Sequence, residues 1–333
     1  MSHDITKTDQ LVLTQKPAWH GLGIVVEDAP SPQEALQLAS LGWQVEQWPL
    51  QAMGPDGPRA VSSHVLNVRG DDLSALGVVG VGYRPVQNVE LAEFAAALSE
   101  TGAVKIESAG SIRGGKRVWF LARGDSIWLG NSDEVKPYLL VANGHDGTMS
   151  VVCQPTTIRV VCRNTLHASL KEGERSQLAV RFRHEGEITS KLDDARRALG
   201  LFQSARAAFE HQAQALNAKE LSREDLQRYW LEVYAATLEP IPFQPVTAQE
   251  QRQARLAKDR LSQWAMNFDK DREKLGTPAS AWTALNAVTQ WFDHQRTVRG
   301  PNDRSRLDQR VMGNWWGDAA IAKAKAMEMA LTR

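Results

Sequence analysis

Apolar and polar positions follow two different periods along this chain, and the change falls a little past its middle. After a polar opening segment, Ser31-Pro32-Gln33-Glu34 combines a hydroxyl cap, a proline at the first helical position and a carboxylate three residues after the cap. That combination predicts a capped helix, which Gly42 closes. Short stretches of strand character follow: Trp43–Trp48, Val65–Arg69, Gly77–Tyr83, Val104–Ile112, Arg117–Arg123, Tyr138–Ala142 and Met149–Cys153. One amphipathic helix, Leu91–Leu98, lies among them. Gly114-Gly115 sits between two such stretches and supplies the positive φ of a tight reversing turn, so adjacent strands are expected to pair antiparallel in one contiguous sheet.

From about Gly186 the apolar residues recur every three or four positions, predicting helices over Leu192–Leu216, Leu221–Leu238, Ala248–Phe268, Ala279–Phe292 and Ala319–Leu331. Pro240–Pro245, PIPFQP, interrupts this series and reads as a linker. The expected class is α+β: an antiparallel sheet with crossing helices over 1–185, then a mostly helical region over 186–333 with a break near 240–246.

Composition narrows the setting. A chain of 333 residues with 42% hydrophobic and 23% charged residues has the make-up of a soluble globular protein. No apolar run reaches bilayer length and MSHDITKTDQ leads into no signal-like segment, so a cytoplasmic protein without membrane association is expected. Two cysteines, Cys153 and Cys162, are too few for a disulfide framework and read as reduced, structural thiols. Net charge is zero but uneven: residues 1–150 carry 11 Lys and Arg against 17 Asp and Glu, and residues 151–333 carry 28 against 22. An anionic partner would therefore meet the second half, unless the surplus is only the solvated charge of a helical surface.

Candidate chemistry is sparse. GSIRGGKR, Gly110–Arg117, approaches the phosphate-binding loop pattern but has Arg117 where the Mg²⁺-binding hydroxyl belongs, and it leads into the strand-like VWFLAR, so it reads as a basic hairpin tip. Gly144-His145-Asp146-Gly147 places an imidazole beside a carboxylate, yet adjacent residues rarely pair and no nucleophile elbow accompanies them; a tight turn accounts for the segment. A zinc site from His145, Cys153, Cys162 and His167 lacks the spacing of structural sites, and no metal or cofactor is expected. Arg159, Arg163 and Asn164 flank Val160-Val161 at what reads as a helix start. Arg181 and Arg183 alternate with Val180 and Phe182, which puts both guanidiniums on one strand face suited to phosphate oxygens. The competing reading is a solvated face paired with Glu172, Glu174, Glu185 and Glu187. Eleven tryptophans are many for this length; Trp43, Trp119 and Trp230 sit in core patterns, and only Trp315-Trp316 resembles a docking patch.

The blocks PAWHGLG (Pro17–Gly23), LGVVGVGYRPVQN (Leu76–Asn88), SAGSIRGGKRVWFLA (Ser108–Ala122), NGHDGTMSVVCQPTTIRVVCRNTL (Asn143–Leu166) and SAWTALNAVTQWFDH (Ser280–His294) occur in order over nearly the whole chain. Together they resemble the phage/plasmid-like protein family, a domain of unknown function found on mobile elements. The resemblance implies a mobile-element setting and brings no catalytic residues with it. In outline, its order of elements is similar to that of phage single-strand-annealing recombination proteins, a comparison at fold level only.

The leading expectation is a non-enzymatic protein, oligomeric, that holds single-stranded DNA in a basic groove and assists annealing or protection in recombination or replication. Arg113, Lys116, Arg117, Arg159, Arg163, Arg181 and Arg183 are the expected backbone contacts, with Asn164 touching base or sugar. The alternative is a protein-interaction or anti-defence module that docks a host protein through the helical half and Trp315-Trp316.

Overall fold

The computed structural model describes residues 11–14, 24–130, 132–159, 164–166, 180–182, 191–276, 279–301, 303–315 and 317–332. The strands are β1 Leu11–Thr14, β2 Ile24–Val26, β3 Val45–Gly54, β4 Gly57–Arg69, β5 Ala75–Gly80, β6 Lys105–Ile112, β7 Arg117–Arg123, β8 Ile127–Leu129, β9 Asp133–Gly144, β10 Val151–Arg159, β11 Asn164–Leu166 and β12 Val180–Phe182. Two helices, α1 Pro32–Leu38 and α2 Asn88–Ser99, interrupt them. The α+β class is as expected, with antiparallel sheets in the N-terminal half and helices after them. The capping box of α1 forms as read: the Glu34 amide donates to Ser31 Oγ at 3.2 Å and the Ser31 amide to Glu34 Oε2 at 2.8 Å. The helix ends earlier than Gly42, with Ala39 as its cap and Ser40 turning the chain at φ 49°.

The strands form two sheets where one was expected. Nine strands make a sheet along the path β11-β10-β9-β7-β6-β1-β2, with β12 added beside β10 and β8 beside β9. Its pairs are antiparallel except β1 with β2, which is parallel. The second sheet is β3-β4-β5. Beyond the reach of β5, which pairs only with His64–Val68, β3 and β4 run on as a two-stranded ribbon exposed or half-exposed on both faces over residues 50–63.

Period-two alternation divides the large sheet's contacts. Val118, Phe120, Leu139, Val141, Val151 and Cys153 join the core shared with α1 and α2, while Trp119, Leu121, Tyr138, Leu140 and Ala142 pack together on the other face. Trp43, Trp119 and Trp230 are buried, as their patterns implied.

Six further helices follow: α3 Lys191–Ala218, α4 Arg223–Thr237, α5 Ala248–Leu275, α6 Ala281–Gln290, α7 Asp303–Trp315 and α8 Asp318–Leu331. Helix α3 serves two cores: Ala198, Leu199 and Phe202 complete the sheet's core, and Phe209, Ala213 and Leu216 join the helical one. Every residue from Ala281 to Thr289 is buried, so α6 is the central helix of its layer; its polar residues Thr283, Asn286 and Thr289 are hydrogen-bonded within the interior. A buried bond keys it to the sheet, Trp282 Nε1 donating to Asp133 Oδ2 at 2.7 Å. Between α4 and α5 the PIPFQP segment crosses solvent, with Phe243 96% exposed. Among the described residues, no helix is long and apolar enough to cross a membrane.

Candidate nucleic-acid interface

The two sheets meet at the Asn143–Thr148 segment, and polar side chains fasten the joint. Gly147 takes φ 77°, and Asp146 Oδ1 accepts from the Thr148 amide at 3.0 Å and hydroxyl at 2.9 Å, a tight turn as read from the sequence. The buried His145 ring does not pair with Asp146. Its Nε2 lies 2.9 Å from Asn88 Oδ1, its edge meets Trp43 at a centroid distance of 5.4 Å, and its carbonyl accepts from Asn67 Nδ2 at 2.8 Å. Asn88 also donates to the carbonyls of Leu41 and Trp43, so one amide links the approach to β3, the start of α2 and the β9 turn. Gly77 makes the close approach possible: a Cβ there would lie 2.6 Å from Asp146 Cα.

Two arginines of this joint are internal. Arg117 is 3% exposed; its Nη1 lies 2.6 Å from Asp146 Oδ1, and it also donates to the Thr148 hydroxyl and the Lys116 carbonyl. Burial would raise the Asp146 pKa, but the bonds from Arg117 and Thr148 outweigh it and hold the carboxyl below its ordinary range. Arg69 is fully buried, its Nε 2.7 Å from Asp71 Oδ1 and its guanidinium 4.7 Å from the Trp43 ring centroid.

Outside this buried layer lies a rim of cations. Arg113, Gly114 and Gly115 turn the chain at φ 57°, 67° and 89°, the hairpin expected of the glycine pair, with Gly115 pressed on the Trp43 ring. Lys116 follows, half-buried, its carbonyl accepting from the His145 amide at 3.0 Å. From the other side the Tyr83 hydroxyl donates to the Gly144 carbonyl at 2.8 Å, bringing the exposed Arg84 to the same segment. Lys116 and Arg84 have no counter-charge among the described residues.

The structure separates the arginines expected to share a groove. Arg117 is withdrawn from the surface set because Asp146 holds it inside. Asn164 opens strand β11, where a helix start was expected, because this segment hydrogen-bonds to β10 and pairs with Arg159. Arg181 stands opposite Val152, in the row that runs through Ala142 to Trp119 toward the Arg113–Lys116 turn. Arg159 lies seven positions further along β10 than Val152, about 23 Å at strand rise. Arg163 and Arg183 lie outside the described residues, as do Cys162, His167 and Trp316. GSIRGGKR leads into β7, so no helix N-terminus backs its glycines. Cys153 is fully buried, which pushes its thiol well above the usual range. Among the described residues no group of three His, Cys, Asp or Glu could hold a metal ion. Sequence reasoning passed over Arg84 and Asn88; the only local signal was the polar run YRPVQN after an apolar strand.

The profile of a family described as Domain of unknown function (DUF932) matches residues 75–312, from β5 through most of α7. No curated protein and no solved structure matches the chain.

Proposed function

Because the chain belongs to the DUF932 family, whose description names no activity, we propose from its geometry that it is a non-enzymatic binder of single-stranded nucleic acid, DNA in the first instance. The observation that carries this reading is that Arg84 and Lys116 have no counter-charge among the described residues, beside a joint whose inner arginines already have carboxylate partners. Such cations suit a phosphate backbone, because contact with phosphate needs charge and position but no base reading. Arg181, registered at the same end of the sheet, would extend the track. Annealing or protection of strands, in a homo-oligomer encoded on a mobile element, is the role this surface would serve. The test is titration of a labelled 30-nucleotide single strand across a salt series. Log affinity should fall linearly with log salt, equally for unrelated sequences; absence of binding at low salt overturns the proposal.

One observation favours a second reading. The β3–β4 hairpin exposes Trp48 near the three-stranded part and Met53 on the two-stranded ribbon, and carries Glu46 and Asp56 against Arg59 over residues 46–64, a surface suited to a protein partner such as a host factor and unsuited to phosphate. If Trp48→Ser with Met53→Ser abolishes function in the cell while strand binding is unchanged, this reading takes precedence.

A further inference from the structure

A second group of cationic donors gathers in the helical region. At its C-terminal end α6 widens into a π-turn, Trp291–Gln295, closed by the Arg296 amide donating to the Trp291 carbonyl at 2.7 Å. Such turns recur at functional sites. This turn, the segment after it, α7 and the start of α8 border an open cavity of about 390 Å³. Phe292, Val298 and Ala319 give it an apolar wall; Arg296, Arg299, Arg310 and Asp318 bring three guanidiniums and one carboxylate, a surplus of two positive charges among the described lining residues.

The arginines differ in how far they are already engaged. Arg310 donates through Nη1 to the Asp293 carbonyl and through Nη2 to the Arg296 carbonyl, both at 3.0 Å, which fixes its plane and leaves further N–H donors of the fork for a ligand. Arg296 donates to Asp318 Oδ2 at 2.5 Å. Arg299 is exposed and makes no hydrogen bond or ion pair with the described residues. Asn314, 9% exposed, adds a side-chain amide to the cavity wall. Behind the wall Lys323 Nζ lies 2.6 Å from Asp293 Oδ1, with side chains 1% and 2% exposed, and locks the π-turn whose carbonyl Arg310 grips.

We propose that this cavity binds a small phosphate monoester. Two surplus positive charges match a dianion, guanidinium forks match its oxygens, and the Asn314 amide would meet an oxygen or hydroxyl next to the phosphate. The apolar wall and a volume larger than a phosphate group leave room for a sugar or nucleoside part. This site does not depend on the nucleic-acid reading.

The test is isothermal titration of the full chain with inorganic phosphate, ribose 5-phosphate, adenosine 5′-monophosphate and adenosine. At least one ester should bind saturably and more tightly than inorganic phosphate, and adenosine should not bind. Arg299→Ala, which removes no internal contact, should weaken the ester about tenfold with an unchanged melting temperature, and Asn314→Ala should weaken it less. Failure of both esters to saturate at millimolar concentration, adenosine binding as well as its monophosphate, or equal ester affinity in wild type and Arg299→Ala would overturn the proposal.

Discussion

The two buried ion pairs, Arg117–Asp146 at the sheet joint and Lys323–Asp293 behind the π-turn, are built differently and stand in similar places. At the joint a planar guanidinium shares three acceptors, and its carboxylate partner keeps 14% side-chain exposure on a turn. In the helical region a compact ammonium meets one carboxylate oxygen with both side chains essentially closed to water. Each pair nevertheless has cations without a carboxylate partner among the described residues in its region: exposed Arg84 and half-buried Lys116 in one, exposed Arg299 and half-buried Arg310 in the other. The difference teaches that residue type does not separate a cation that the fold takes into a buried ion pair from one that it does not. Whether the fold brings a carboxylate to it does.

That division makes the inner and outer sets separable by mutation. Asp293→Ala leaves the Lys323 ammonium without its charged partner at 1% exposure and should cost about 3–5 kcal/mol, read as a shift of the urea midpoint. Joint replacement by Asp293→Leu and Lys323→Met should recover most of that loss, since an apolar pair of similar volume replaces a desolvated one. A double variant no better than the single would show that the π-turn needs the charges themselves.

At the joint the corresponding loss should be smaller, because Asp146 is nearer to water. Asp146→Ala should cost about 2–3 kcal/mol. Its pKa is lowered in the folded protein, so its stabilisation is fully present above the unfolded carboxyl pKa of about 3.9 and disappears as pH falls through the lower folded value. Asp146→Asn should therefore remove that segment of the acid-unfolding profile; an unchanged profile would show that the pair does not stabilise the fold.

Gly77→Ala tests the joint through shape. Its Cβ would meet the Asp146 backbone, so the sheets must part slightly, at about 1–3 kcal/mol in thermal unfolding. A neutral outcome would mean that the turn yields freely and the rim is not rigid.

How much of this was legible follows from what decides each feature. Strands β6 and β7 with their Gly-Gly turn were readable because the period and the turn residues are local. Helix α6 was readable because its apolar residues recur at helical spacing. The ribbon of β3 and β4 was not, since strands wet on both faces carry no alternation tied to a core. Helix α7 was missed because Asp303, Arg304, Arg306, Asp308 and Arg310 crowd its turns with charge and blur the apolar period. At the site, the basic hairpin tip was visible, but the opposite fates of Lys116 and Arg117 were not. Lys116 belongs to the turn while Arg117 opens β7, and the Asp146 that takes Arg117 inward comes from another hairpin. The Asn88–His145 contact spans 57 residues and has no local signature.

The central claim is that the outer cations bind and the inner ones hold the fold, and the most direct measurement is the salt dependence of single-strand binding by Arg84→Gln/Arg113→Gln/Lys116→Gln beside wild type, with urea midpoints for both. The account predicts a log–log slope smaller by about 2, at about 0.7 per phosphate contact, with the midpoint nearly unchanged. An unchanged slope, or a midpoint that falls as far as that of Asp146→Ala, would contradict it.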